Sequence, residues 1–192
     1  MPQTDADNAR VAGIILAAGA STRFGSPKQL ARIGKRTILE TVVDVALAAG
    51  LDPVLVVVPP GMAVPPEVVP VVNDDPAAGL SRSLRLGVHA APGDVAAVVI
   101  LLGDQPTLEA DDVRRLVAAR GAAPVVASES NGLRMPPVVL ERTAFALVDT
   151  LEGDEGLRSL LRSGSSDIAA VPVSSLAADV DTPEDLARLS LS

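Results

Sequence analysis

A three-layer α/β/α fold, with helices on both faces of a mostly parallel central sheet, is predicted by three observations. Short runs rich in Val, Ile and Leu alternate with longer segments whose apolar residues recur every three or four positions, the mark of β-α-β units. The apolar runs lack polar alternation, as strands covered on both faces do. Hydrophobic residues make up 48% of the 192 and charged residues 21%, enough to close a core and too apolar for disorder. Aromatic content is only 1%, so that core is built from Val, Leu, Ile and Ala.

The elements follow in order. Val11 to Ala17 reads as the first strand. After a Gly-rich loop, Ile38, Leu39, Val42, Val43, Ala46 and Leu47 form one helical stripe, ended by Gly50 and followed by Pro53. Val54 to Val58 is the second strand. The Pro-rich stretch from Pro59 to Pro70 cannot be regular helix and is expected as a loop. A short strand near Val71 precedes a helix from Leu80 to about His89. Val95 to Leu102, the most apolar run, is expected at the centre of the sheet and ends at Gly103-Asp104-Gln105-Pro106. A helix over Asp111 to Arg120 comes next, then strands at Val125–Ser128 and Val138–Leu140. Further helices are expected after Arg142, after Glu155 and from Pro183. No repeat or linker divides the chain, so residues 11–192 are expected as one domain behind a flexible segment, 1–10.

Composition excludes several function classes. The net charge is −8, which disfavours nucleic acid and anionic membrane surfaces as partners. Two phenylalanines, with no Trp or Tyr, leave no stacking platform for single-stranded nucleic acid. The lack of cysteine removes disulfides, thiolate nucleophiles and zinc-thiolate sites. The polar, acidic start is unlike a secretory signal and no apolar run reaches membrane-helix length, so a cytoplasmic location is expected.

The segment Leu16-Ala17-Ala18-Gly19-Ala20-Ser21-Thr22-Arg23-Phe24-Gly25-Ser26-Pro27-Lys28 carries the chemistry, because ligands of open α/β sheets bind at the carboxyl ends of strands. Gly19 and Gly25 let backbone N–H groups approach an anion, and Arg23 and Lys28 add positive charge. No acidic residue occurs between Asp7 and Glu40, a gap holding Arg10, Arg23, Lys28, Arg32, Lys35 and Arg36, which reads as one basic island. The spacing fits neither G-x-x-x-x-G-K-[ST] nor G-x-G-x-x-G, which argues against a P-loop ATPase and a dinucleotide-binding dehydrogenase. A charged glycine-rich surface loop without a ligand is the plainer alternative.

Three further segments stand at ligand-facing places. Asp104, at the end of the central run, is suited to hold Mg²⁺ against phosphate oxygens. Asp179 and Asp181 lie two residues apart, and Asp181 is the better candidate for a second metal ligand, although Thr182-Pro183-Glu184-Asp185 also reads as plain helix initiation. Gly79-Leu80-Ser81-Arg82-Ser83 opens a helix, so its N–H groups and the Ser83 hydroxyl could hydrogen-bond a base or ribose, with Ser81 as a simple N-cap the alternative. His89, the lone histidine, is expected as a surface or packing residue and is assigned no catalysis.

These segments in this order resemble the nucleotidyltransferase family that activates the molybdenum cofactor, especially its cytidylyltransferases. The family fingerprint LAAG-x-S-x-R-[MFL]-G-x-x-K is matched by Leu16 through Lys28, Leu-Gly-Asp-Gln-Pro by Leu102 to Pro106, and the closing Asp-[IV]-Asp-Thr-Pro-Glu-Asp-Leu by Asp179 to Leu186. Gly79 to Leu84 matches G-x-x-x-S-L, and Gly153 to Arg158 is similar to the family's G-D-x-G-x-R. The resemblance implies a Rossmann-like nucleotidyltransferase fold and Mg²⁺-dependent transfer of a nucleoside monophosphate from an NTP to molybdopterin or another phosphorylated acceptor, with release of pyrophosphate. It implies Arg23, Lys28 and Asp104 as catalytic residues, Asp104 and Asp181 as metal ligands, and nucleotide contacts from Leu16, Ala17, Ala18, Gly19, Ser21, Arg23, Gly25, Lys28, Gly79, Ser83 and Gln105. A molybdoenzyme or its chaperone is the implied protein partner.

Ala18, where guanylyltransferases of the family usually carry Gly, and Gln105 point to CTP over GTP. The family's Gly-His-Pro-Val is replaced by Met135-Pro136-Pro137-Val138, which bears on the acceptor rather than the nucleotide. A GTP-dependent enzyme, a sugar-nucleotide pyrophosphorylase and a non-catalytic nucleotide- or cofactor-binding protein are the alternatives.

Overall fold

The computed structural model describes residues 9–19, 27–154, 156–162, 167–173 and 175. The chain runs β1 (Val11–Leu16), a small hairpin of β2 (Arg32–Ile33) and β3 (Arg36–Thr37), α1 (Ile38–Ala48), β4 (Val54–Val58), β5 (Val69–Val72), α2 (Leu80–Ala90), β6 (Ala97–Leu102), α3 (Ala110–Ala118), β7 (Val125–Ser130), β8 (Leu133–Glu141), α4 (Gly156–Arg162) and β9 (Ile168–Pro172). Short 3-10 turns lie at Lys28–Leu30 and Pro76–Ala78, and a longer one, Arg142–Thr150, stands where a regular helix was expected. The expected flexible segment 1–10 lies outside the described residues up to residue 8, as does the helix expected from Pro183.

Seven strands form one sheet in the order β5-β4-β1-β6-β8-β7-β9, with β6 at its centre. β8 alone runs antiparallel to its neighbours β6 and β7, while the remaining pairs are parallel. The absence of polar alternation now has its reason. In β1, Ile15 packs on one face with Leu39, Val42 and Val43 of α1 and Val113 and Leu116 of α3. Its neighbours Ile14 and Leu16 pack on the other with Leu84 and Val88 of α2 and Leu157 and Leu161 of α4. Consecutive side chains point to opposite faces, so a strand roofed on both sides needs apolar residues throughout.

Local chemistry fixes the helix entries. α1 begins with a reciprocal cap: Thr37 Oγ1 accepts from Glu40 N at 3.1 Å, and Glu40 Oε2 accepts from Thr37 N at 2.7 Å. The β7–β8 hairpin is longer than the two short strands expected from the sequence. Asn131 and Gly132 both sit at positive φ, 52° and 76°, the two-residue turn whose twist matches the flanking strands.

The basic island does not survive folding as one patch. Arg10 precedes β1 and pairs with Asp52 (3.0 Å) and Asp94 (2.9 Å), which precede β4 and β6, so it belongs to the amino end of the sheet. A six-residue strand, about 20 Å long, separates it from the exit of β1. Arg36 pairs with Asp44 of α1 at 2.9 Å, and Arg32 donates to the Lys35 carbonyl.

Candidate active site

The carboxyl ends of β1 and β6 are bound together before any ligand is considered. Gly103 N donates to the Leu16 carbonyl at 2.9 Å, and Ala17 N donates to the Val57 carbonyl at 2.8 Å. A Cβ on Gly103 would stand 3.0 Å from the Ala17 methyl and 3.2 Å from Leu16 O, so glycine at this turn lets β6 close down on the exit of β1. Leu16, Ala17 and Ala18 are buried, and Gly19 emerges as the first exposed residue beyond them.

Lys28 and Asp104, 76 positions apart in sequence, meet at this edge. Lys28 Nζ lies 2.5 Å from Asp104 Oδ2, with side-chain exposures of 16% and 23%. The backbone under Lys28 is fixed by its 3-10 turn, in which Leu30 N donates to Pro27 O and Ala31 N to Lys28 O. Gln29 is buried, with its Nε2 3.8 Å from where a Cβ on Gly19 would sit. The sequence reading missed Gln29, although a polar residue between the Pro-Lys step and Leu30 was the available signal.

Gln105 is also buried, and its Nε2 donates to the Pro136 carbonyl at 3.4 Å. That contact turns its side chain toward the Met135-Pro136-Pro137 segment. On the far side of the same segment, Ser128 Oγ donates to Pro137 O at 3.0 Å. The residues replacing the family's Gly-His-Pro are thus tied directly to the turn that carries Asp104.

The start of α2 is engaged by the protein itself. Leu80 N donates to Asp154 Oδ1 and Ser81 N to the Gly153 carbonyl, both at 3.1 Å, so the two N–H groups that the sequence offered to a base or ribose already have partners. Gly79 has φ +94°, and a Cβ there would come within 2.6 Å of the Gly153 carbonyl carbon. The Gly153-Asp154 turn is therefore the cap of this helix. Ser83 Oγ accepts from Asn73 Nδ2 at 2.9 Å inside the protein. Asn73, fully buried and not anticipated from sequence, also accepts from Arg82 Nε and Asp75 N. The Arg82 guanidinium hydrogen-bonds Asp74 and holds its carboxyl below the usual range.

Ser21, Arg23 and Gly25 of the expected cradle lie outside the described residues, as do Asp179 and Asp181. Among the described residues no three His, Cys, Asp or Glu side chains gather into a metal-binding group, so Asp104 is the described contributor to the expected metal site. Its hard oxygen donors suit Mg²⁺ or Mn²⁺, and a cation, the Lys28 ammonium, already rests on one of them. No helix among the described residues is long and apolar enough to cross a membrane.

Comparison with known proteins identifies the family. The purine catabolism protein PucB of Bacillus subtilis is 35% identical over 94% of this chain and 97% of its own. The nicotine blue oxidoreductase of Paenarthrobacter nicotinovorans is 30% identical over 96% and 98%. A probable molybdenum cofactor guanylyltransferase of Mycolicibacterium paratuberculosis is 29% identical over 96% and 98%. Among solved structures, the manganese complex of Rv0371c from Mycobacterium tuberculosis superimposes with a TM-score of 0.81 at 30% identity, covering 95% of this chain and 99% of that one. Residues 13–169, which include both sheet ends and the Lys28–Asp104 pair, match the family model described as the MobA-like NTP transferase domain, and the chain belongs to that family of nucleotidyltransferases.

Proposed function

We propose that the chain transfers a nucleoside monophosphate from an NTP to a phosphate on a small-molecule acceptor and releases pyrophosphate. The observation that carries this reading is the convergence of Lys28 and Asp104 at the carboxyl ends of β1 and β6. An acceptor phosphate is anionic at pH 7, so one of its oxygens can attack the α-phosphorus without a protein base. The new P–O bond forms as the α–β bridging bond breaks, and pyrophosphate carries away the electron pair. No proton needs to move, which fits a site lacking cysteine and using no histidine.

The protein's work is placement and neutralisation of charge. Lys28, and Arg23 from the same loop, lie against the triphosphate. Gly19 and Gly25 allow N–H groups to approach it. Asp104 and Asp181 would hold the divalent cation, Mg²⁺ in this reading, and a manganese complex among the similar structures supports a divalent ion of this class. A divalent ion held there would supply positive charge to offset the negative charge that develops on the leaving pyrophosphate.

CTP is the preferred donor. This preference rests on the resemblance alone: Ala18, where guanylyltransferases of the family usually carry Gly, is 4% exposed and packed into the α2-side core. GTP is the second reading, favoured by the relative named as a guanylyltransferase. Molybdopterin is the acceptor suggested by that same name, with delivery to a molybdoenzyme as the consequence. Met135-Pro136-Pro137 beside Gln105 supports testing other phosphorylated acceptors as well. The test is pyrophosphate release with Mg²⁺ and each NTP in turn, with and without molybdenum-loaded pterin. Release with CTP and that pterin is expected, and no release with any NTP and any acceptor would overturn the reading.

A further inference from the structure

We propose that Lys28 is a latch on the metal site: its ammonium occupies Asp104 in the nucleotide-free protein, so that divalent cation and triphosphate bind cooperatively. The inference rests on the proposed nucleotidyl transfer and adds an order of events to it.

Two observations carry it. The Lys28 ammonium is 2.5 Å from Asp104 Oδ2, and both side chains are largely shielded from water, where a charge pair is screened less than at the surface. A divalent ion on that carboxylate would face a like charge at contact distance, so ion and ammonium compete for the same oxygens. The backbone of Lys28 is held in the 3-10 turn, in which Ala31 N donates to Lys28 O, so the ammonium can pass from Asp104 to a phosphate oxygen by rotation of the lysine side chain.

A triphosphate supplies what moves it. Its oxygens give the ammonium a new partner beside the old one, and Asp104 becomes available to the cation. Each ligand then raises the affinity of the other by the same factor, as linkage requires. Free cation is kept off the site until there is a phosphate chain for it to act upon.

The experiment measures Mn²⁺ binding to nucleotide-free protein by electron paramagnetic resonance, for the wild type and for Lys28→Met, Lys28→Gln and Asp104→Asn. Folding of each is checked by circular dichroism. Both lysine variants are expected to bind Mn²⁺ about tenfold more tightly than the wild type, equivalent to about 1.4 kcal/mol. A non-hydrolysable CTP analogue should raise the wild-type affinity for Mn²⁺ and raise that of the lysine variants less. If the folded lysine variants gain no affinity while Asp104→Asn loses the ion, the latch is wrong and the metal assignment stands. If Asp104→Asn binds Mn²⁺ as the wild type does, the metal assignment beneath the proposed function falls too.

Discussion

Gly87 offers a prediction in which two physical effects oppose each other. It lies inside α2, where replacing glycine by alanine ordinarily stabilises a helix by about 0.5–1 kcal/mol. Sequence alone therefore favours Gly87→Ala. The structure reverses the sign: a Cβ at this position would come within 2.5 Å of Ile14 Cγ2 and 3.1 Å of Val57 Cγ2, and both of those side chains are fully buried. Ile14 sits in β1 and Val57 in β4, so neither can rotate into solvent, and α2 must lift from the sheet or the strands must give way. Overpacking of this kind costs about 1–3 kcal/mol, which offsets the propensity gain and leaves a net loss of up to about 2.5 kcal/mol. Urea unfolding followed by far-ultraviolet circular dichroism would measure it. Ile14→Ala alone should cost about 2–4 kcal/mol, and the double variant should cost at least about 1 kcal/mol less than the sum, because the new methyl enters the space Ile14 vacates. A Gly87→Ala protein more stable than the wild type would refute the reasoning, since it would mean that α2 is not seated on β1 and β4 as described.

Other expectations concern the site and its supports. Lys28→Ala should lower pyrophosphate release about a hundredfold, about 3 kcal/mol of transition-state stabilisation, with urea stability little changed; full turnover would show that Lys28 does not face the phosphates. Gly79→Ala combines a positive φ with a Cβ 2.6 Å from the backbone of Gly153, and should lose about 2–4 kcal/mol in urea unfolding, whereas an unchanged midpoint would show that the Gly153-Asp154 turn does not cap α2. Acid should weaken the fold. Asp94, hydrogen-bonded by Arg10, Asp74, hydrogen-bonded by Arg82, and Glu40, bonded by the Thr37 N–H, all have pKa values below their ordinary ones. Depressed carboxylate pKa values stabilise the native state at neutral pH, and that contribution is lost as pH falls through the carboxylate range, below about 4. The urea midpoint should therefore be lower at pH 3.5 than at pH 7, and an unchanged midpoint would contradict these pairings.

The elements with a strong period were legible in the sequence. Val54–Val58 was expected and found with the same bounds, and the stripe from Ile38 to Leu47 became α1, because a buried strand and an amphipathic helix each write their period directly into the residues. Other features depend on partners far along the chain. Nothing near Arg10 indicates that Asp52 and Asp94 will claim it. Asn73 looks like an ordinary turn residue until Ser83 and Arg82 close around it. β9 escaped notice because Ile168–Pro172 is short and half-exposed, and only its pairing with β7 makes it a strand. The Asn131-Gly132 turn could have been read and would have lengthened β7 and β8. For the site, the motifs drew attention to Lys28 and Asp104, which the fold brings together as an ion pair at one sheet end. They did not reveal that the α2 entry is filled by Asp154, or that Gln105 points to Pro136.

The most direct measurement is a crystal structure with a non-hydrolysable CTP analogue and Mg²⁺. The triphosphate should lie across the carboxyl ends of β1 and β6, with the Lys28 ammonium on a phosphate oxygen and an ion on Asp104. A nucleotide bound elsewhere, with Lys28 and Asp104 still joined to each other, would contradict both the cradle and the reaction assigned to it.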